Sequence, residues 1–197
     1  MDSSFLKALA QARPDPGGGA AAAHSAALGM ALLEKVVRLE QQRPGPNVTP
    51  EPFWGDLLGK VRQVASSLLR LQEEDVQAYF NLTQARAGGG PEELATAIQE
   101  AVACPLEIMQ QAQEGLALLA EVGARCKPHL VSDLLVASEL LASAFRGAHH
   151  IAMANLPLMP PDLKRTVWAE ELFHTIAAIE AEFEQARADL LGRDPCR

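Results

Sequence analysis

A chain of 197 residues with 48% hydrophobic side chains is one domain's length and can bury a sizeable core without disulfides or metal. Its 34 Ala and 28 Leu outnumber the 11 Val, 5 Ile and 5 Thr about three to one, which favours helix over strand almost throughout. A net charge of −8 argues against nucleic acid or an anionic membrane surface as partner, because both select basic proteins.

Proline and glycine punctuate the chain. Asp2, Ser3 or Ser4 caps a short helix carrying Phe5, Leu6 and Leu9, which Pro14 and Pro16 end. Gly17, Gly18 and Gly19 lead into a helix that runs to about Arg43. Its first half is built of Ala20 to Ala23, Ala26, Ala27 and Gly29, small enough for another backbone to approach closely. Its second half, with Leu32, Leu33, Val36, Val37 and Leu39, reads as a buried stripe. Residues 43–52, RPGPNVTPEP, hold four prolines and read as a surface loop. A long helix from about Phe53 to Arg86 follows, closed by Gly88-Gly89-Gly90.

Pro91 suits a first helical position, and Glu92 and Glu93 suit the positive end of the helix that follows. Pro105 is expected to kink or restart that helix before it ends at Gly123. Residues 124–130 form a tight connection, Ser132 is expected to cap a helix to about Ala154, and residues 155–161 break the chain again. A last helix spans about Pro161 to Leu191, with Leu172, Ile176, Ile179, Phe183, Ala186 and Leu190 at four–three spacing, and residues 193–197 are a tail. The prediction is a single all-α bundle of about five long helices over residues 1–197.

Cys104, Cys126 and Cys196 are an odd number with no C-x-x-C spacing, so neither a disulfide framework nor a thiolate zinc site is expected, and a reducing cytoplasm is. The opening MDSSFLKALAQARPD lacks a signal pattern, and no run of 18 strongly apolar residues is seen, so no membrane-spanning segment is expected.

One acid breaks the pattern of the long third helix. Steps of three and four from Trp54 give Leu57, Val61, Val64, Leu68 and Leu71, then Asp75, then Ala78 and Leu82. A carboxylate on a buried seam must be paired, hydrogen-bonded, protonated or beside a wet cavity, and its pKa is raised, which suits proton transfer near neutrality. The alternative is that the seam rotates there and the acid faces solvent, since a straight helix drifts about 20° per heptad. Gly88-Gly89-Gly90 reads as a turn, with neither a P-loop nor a dinucleotide fingerprint around it. Val131-Ser132-Asp133 reads first as a helix cap. His149 and His150 are about 100° apart on a helix, a poor metal pair, and leave one exposed and the other on a cleft or interface; His24 is the remaining titratable oddity.

PDPGGGAAAA (14–23), ALGMAL (27–32), EDVQAYF (74–80), AIQEAVACPLEI (97–108), VSDLLVASELLASAFRGA (131–148) and Asn155-Leu156-Pro157 follow one another in a characteristic order. In this the chain resembles the formimidoyltetrahydrofolate cyclodeaminase/methenyltetrahydrofolate cyclohydrolase family. The resemblance implies an all-helical domain that forms a homodimer, binds a tetrahydrofolate derivative in a cleft near the dimer interface, and needs no cofactor beyond that substrate. It implies that Asp75 is the catalytic acid/base and that Gly17, Gly18, Gly19, Ser132, Asp133 and Asn155 line the site, with Asp133 or a histidine as proton relay. The implied reaction is cyclisation of 5-formimidoyltetrahydrofolate to 5,10-methenyltetrahydrofolate with loss of ammonia. Methenyltetrahydrofolate cyclohydrolysis is the alternative, and a non-catalytic helical binding module the alternative of another class. One departure stands out. Where the family continues R-L-T-x-G with a basic cluster and a tyrosine, this chain reads Arg38-Leu39-Glu40-Gln41-Gln42-Arg43-Pro44-Gly45. The homodimer is further expected from the Ala/Gly-rich faces around Ala20 to Ala27 and Ala144, Gly147 and Ala148, which exceed what one small bundle need bury against itself.

Overall fold

The structure, a computed structural model, describes residues 4–43, 51–159 and 163–193, and gives the backbone alone for Glu51 and residues 163–175. Asp2, Ser3, most of the proline-rich loop, Pro161 and the tail beyond Arg193 lie outside the described residues. The described chain is helical, with no strand among those residues: α1 Ser4–Leu9, α2 Gly18–Gln41, α3 Glu51–Gly88, α4 Pro91–Gly123, α5 Val131–Asn155 and α6 Leu163–Leu191. Five of the six are long, as the spacing predicts.

Short connections make consecutive helices antiparallel neighbours. α2 packs on α3 and α5, α4 packs on α3 and α5, and α6 lies against α5 and α4. The core is the sum of their apolar stripes: Met30, Leu33, Val36 and Val37 from α2, Leu68 and Leu71 from α3, Ile108 and Leu119 from α4, Leu134 and Leu141 from α5, all fully buried. The α3 seam reads as counted, with Trp54, Leu57, Val61, Val64, Leu68 and Leu71 each at most 1% exposed.

α2 and α5 run antiparallel at unusually close range. A β-carbon on Gly29 would come within 3.1 Å of the Ala137 carbonyl and 3.2 Å of Leu141, and one on Gly147 within 3.5 Å of the Ala22 methyl. Ala20, Ala22, Ala23 and Ala26 are buried, as are Ala144 and Ala148. This corrects the argument for a homodimer from those faces: the small residues of the two helices close on each other within one chain. α2 also qualifies the expectation that no segment could span a membrane. By length and composition it is apolar enough to do so, but half of that stretch is buried in the bundle.

Two further expectations need correction. Ser132 does not cap α5. A 3-10 turn, Pro128–Leu130, runs directly into the helix, so the cap position falls on Leu130 and Ser132 sits inside the first turn. Of the two outcomes expected at Pro105, kink or restart, the restart is excluded: α4 is one helix from Pro91 to Gly123 with the proline inside it. Gly90 is the N-terminal cap residue of α4, and its N–H donates to the Glu93 carboxylate at 3.1 Å.

Candidate functional site

Asp75 sits two-thirds of the way along α3, on the seam, where its side chain is half-buried. Opposite it is the first turn of α2. The N–H of Ala20 donates to Asp75 Oδ2 at 2.8 Å. That N–H is one of the donors a helix start leaves free, so the carboxylate occupies the anion-favouring end of α2. Gly17 is the extended residue before the helix. Gly19 is glycine for a spatial reason: a β-carbon there would overlap the Asp75 carboxylate. The glycines thus serve a close approach between a helix start and an acid. Burial pushes the Asp75 carboxyl above the usual carboxylate range, and the Ala20 hydrogen bond only partly opposes it.

A cavity of about 380 Å³ opens beside this contact. Gly17, Gly18, Gly19, Asp75 and Asn155 all line it, together with Tyr79, Leu82, Arg86, Ala101 and Ile151. Along α3, Asp75, Tyr79, Leu82 and Arg86 follow at intervals of four, three and four, one stripe covering about 16 Å of helix rise. Arg86 has no ion-pair or hydrogen-bond partner among the described residues, whereas Arg38, Arg43, Arg62, Arg70, Arg146 and Arg187 are all paired with acids. The wall therefore offers a carboxyl of raised pKa at one end, an aromatic and an aliphatic surface between, and an unpaired cation at the other. Tyr79 and Arg86 were not singled out in the sequence. The signal was the continuation of the Asp75 spacing beyond Leu82.

Asn155 is the last residue of α5, and its side-chain N–H donates to the Ala101 carbonyl of α4 at 2.7 Å. Ser132 and Asp133 are not brought to this cavity. They lie at the opposite end of α5, about 33 Å along its axis from Asn155, and Asp133 is ion-paired with Lys35 at 2.7 Å. Within one chain Asp133 cannot relay protons for Asp75. No histidine whose side chain is described is among the residues lining the cavity. His24 bonds Gln72 through Nδ1 at 2.8 Å and stacks on Phe5. His150 is exposed, and His149 is half-buried, its imidazole held below its usual range by burial and then by His150. Cys104, close enough to feel the charge of Asp75, is pushed up to about 12, chiefly by burial, and is no thiolate at neutral pH. No group of three or more metal-ligating side chains occurs among the described residues.

The sequence profile of the Formiminotransferase-cyclodeaminase family matches residues 2–172. The chain belongs to this family. Among its relatives are the formimidoyltransferase-cyclodeaminase of Mus musculus, 26% identical over 95% of this chain, and the methenyltetrahydrofolate cyclohydrolase of Methylorubrum extorquens, 27% identical over 91% of it. This member spans 36% of the length of the mouse relative and 88% of the bacterial one. The crystal structure of formiminotetrahydrofolate cyclodeaminase from Thermotoga maritima superposes with a TM-score of 0.87, covering 98% of this chain and 96% of that one at 24% identity. The bundle is the fold of that protein.

Proposed function

We propose that the protein is a folate one-carbon enzyme that cyclises 5-formimidoyltetrahydrofolate to 5,10-methenyltetrahydrofolate with release of ammonia. The observation that carries this reading is Asp75: one half-buried carboxylate with a raised pKa, held by a helix start on the wall of a cavity. The order of chemistry along α3 matches a folate, with a donor-rich reduced pterin at Asp75, a flat aminobenzoyl ring over Tyr79 and Leu82, and a glutamate carboxylate at Arg86. Arg86 supplies an unpaired positive charge, whereas Arg38 and Arg43 of the Arg38-to-Gly45 segment are ion-paired with Glu34 and Glu40.

In this mechanism protonated Asp75 gives its proton to the formimino nitrogen. N10 of the folate attacks the formimino carbon, and the carboxylate takes the N10 proton. The same proton is then delivered to the amino group of the tetrahedral intermediate. The C–NH₂ bond breaks, ammonia leaves, and the cationic N5–C–N10 bridge remains, stabilised by the anionic Asp75. One proton from solvent restores the acid. The task suits a carboxyl whose pKa lies above the ordinary range.

The second reading, methenyltetrahydrofolate cyclohydrolase, is favoured by the match to nearly the whole length of the Methylorubrum relative. There Asp75 takes a proton from water attacking the bridge carbon and returns it to the departing folate nitrogen. The buried free thiols of Cys104 and Cys126 suit a reducing cytoplasm. A homodimer belongs to the proposal too. Leu28 and Val136, 49% and 52% exposed, stand on the adjoining outer surfaces of α2 and α5. Purified protein is added separately to 5-formimidoyl- and 5,10-methenyltetrahydrofolate while methenyl absorbance and ammonia are followed. A rise in absorbance with stoichiometric ammonia supports cyclodeamination, accelerated decay supports hydrolysis, and neither above the protein-free rate would refute both.

A further inference from the structure

Pro105 and Asn155 are 50 residues apart in sequence, and one carbonyl joins them. In an α-helix the carbonyl of residue 101 accepts the N–H of residue 105. Residue 105 is proline, which has no N–H, so the Ala101 carbonyl in α4 is left without its helical donor. The side chain of Asn155 fills that vacancy, with Nδ2 donating to Ala101 O at 2.7 Å. A carbonyl oxygen can only accept, so this contact settles which way the amide faces. Asn155 Oδ1 makes no hydrogen bond among the described residues. Asn155 and Ala101 both line the cavity that holds Asp75.

We infer that Pro105 is a positioning residue: by leaving the Ala101 carbonyl open it anchors the Asn155 amide, so that Asn155 Oδ1 is presented as a fixed hydrogen-bond acceptor for a donor on the bound ligand. A proline inside a helix is otherwise a liability, and here the bond it forfeits is replaced by one that reaches across to the end of α5. On the folate reading, on which the ligand's identity rests, that donor is an N–H of the reduced pterin. Asp75 exchanges the proton while Asn155 fixes the ring.

The test is Pro105→Ala, which restores an N–H at 105 to compete for the Ala101 carbonyl, with Asn155→Ala and the double variant. The first readout needs no ligand. In ¹H–¹⁵N spectra of the full chain, the Asn155 side-chain NH₂, identified by its loss in Asn155→Ala, is expected to exchange slowly with solvent in the parent and several-fold faster in Pro105→Ala. The second is steady-state kinetics on the folate substrate. KM is expected to rise about tenfold in Pro105→Ala and similarly in Asn155→Ala, with kcat changed far less, and the double variant no worse than Asn155→Ala alone. The melting temperature of Pro105→Ala is expected to stay level or rise, because alanine is the better helix residue. A purely structural proline would instead lower melting temperature and activity together. Unchanged Asn155 exchange in a folded Pro105→Ala protein, or kinetic effects that add in the double variant, would overturn the inference. If the parent turns over no folate, the folate reading fails, and the exchange measurement still decides whether Pro105 positions Asn155.

Discussion

Asp75 is under two opposed influences, burial that disfavours its charge and a helix-start N–H that favours it, and burial prevails. Asp75→Asn keeps the shape and the acceptor for Ala20 N–H but ends proton exchange. Turnover is expected to fall roughly 10²–10⁴-fold with folate affinity little changed, measured by initial rates and by equilibrium binding. Stability shifts the other way. The unfolded chain titrates this acid near pH 4, whereas the folded protein holds its proton to higher pH, so between the two values the native state binds more protons. The contribution of Asp75 is therefore fully present below about pH 4 and is lost as pH rises through the raised folded value. Asp75→Asn should melt higher than the parent at neutral pH, with the gap closing on acidification. A variant that melts lower at pH 7 would mean that the charge itself supports the fold. Gly19→Ala tests the same contact from the other side. The added methyl overlaps the carboxylate, and activity should drop with Asp75 itself intact.

Among the helices, what was legible and what was not divides on range. Proline and glycine punctuation located the long helices and three–four spacing the α3 seam, because both signals are local and core burial enforces the spacing. Ser132 was misread because a serine before an apolar stripe resembles a cap, while the 3-10 turn at Pro128–Leu130 had already begun the helical backbone. Glu40 was invisible for a different reason. It lies in a polar run, yet it is 2% exposed, paired with Arg43 at 2.6 Å and accepting the Lys127 N–H at 2.9 Å from 87 residues away. No local pattern reports a partner at that distance. Glu40→Ala strands both donors and should cost about 3 kcal/mol, roughly 10 °C in melting temperature for a chain of this size. Lys35→Ala, which breaks the exposed pair with Asp133, should cost at most about 1 kcal/mol. Equal losses from the two variants in a thermal melt would contradict this ranking.

At the scale of the molecule, the cavity gathers Gly17, Gly18, Gly19, Asp75 and Asn155 from three helices, whereas Ser132 and Asp133 lie at the far end of α5. Asp133→Asn therefore discriminates between site arrangements. Turnover within about twofold of the parent is expected for a site made by one chain, and a loss comparable to Asp75→Asn would mean that a second subunit supplies Asp133. Arg86→Ala should raise KM about tenfold for a substrate with a glutamate carboxylate, and hardly at all for a reduced pterin lacking that tail. Light scattering at micromolar concentration reads the assembly, and a monomer would remove the homodimer from the proposal.

The close seam between α2 and α5 has a consequence for how the chain tolerates change. Ala20, Ala23 and Ala26 are 0% exposed, and a β-carbon on Gly29 would stand 3.1 Å from the Ala137 carbonyl. Enlarging such a side chain forces two helices apart, at a cost of about 1–3 kcal/mol per site. Because α2 also delivers Gly19 and Ala20 to Asp75, the same wedge would drag the acid's partner away from it. Leu39, half exposed near the end of that helix, has room to vary. Saturation mutagenesis scored for folded protein should therefore invert the usual ranking along α2. Its bulky Leu39 would accept many replacements, and its buried alanines would accept almost nothing but glycine or serine.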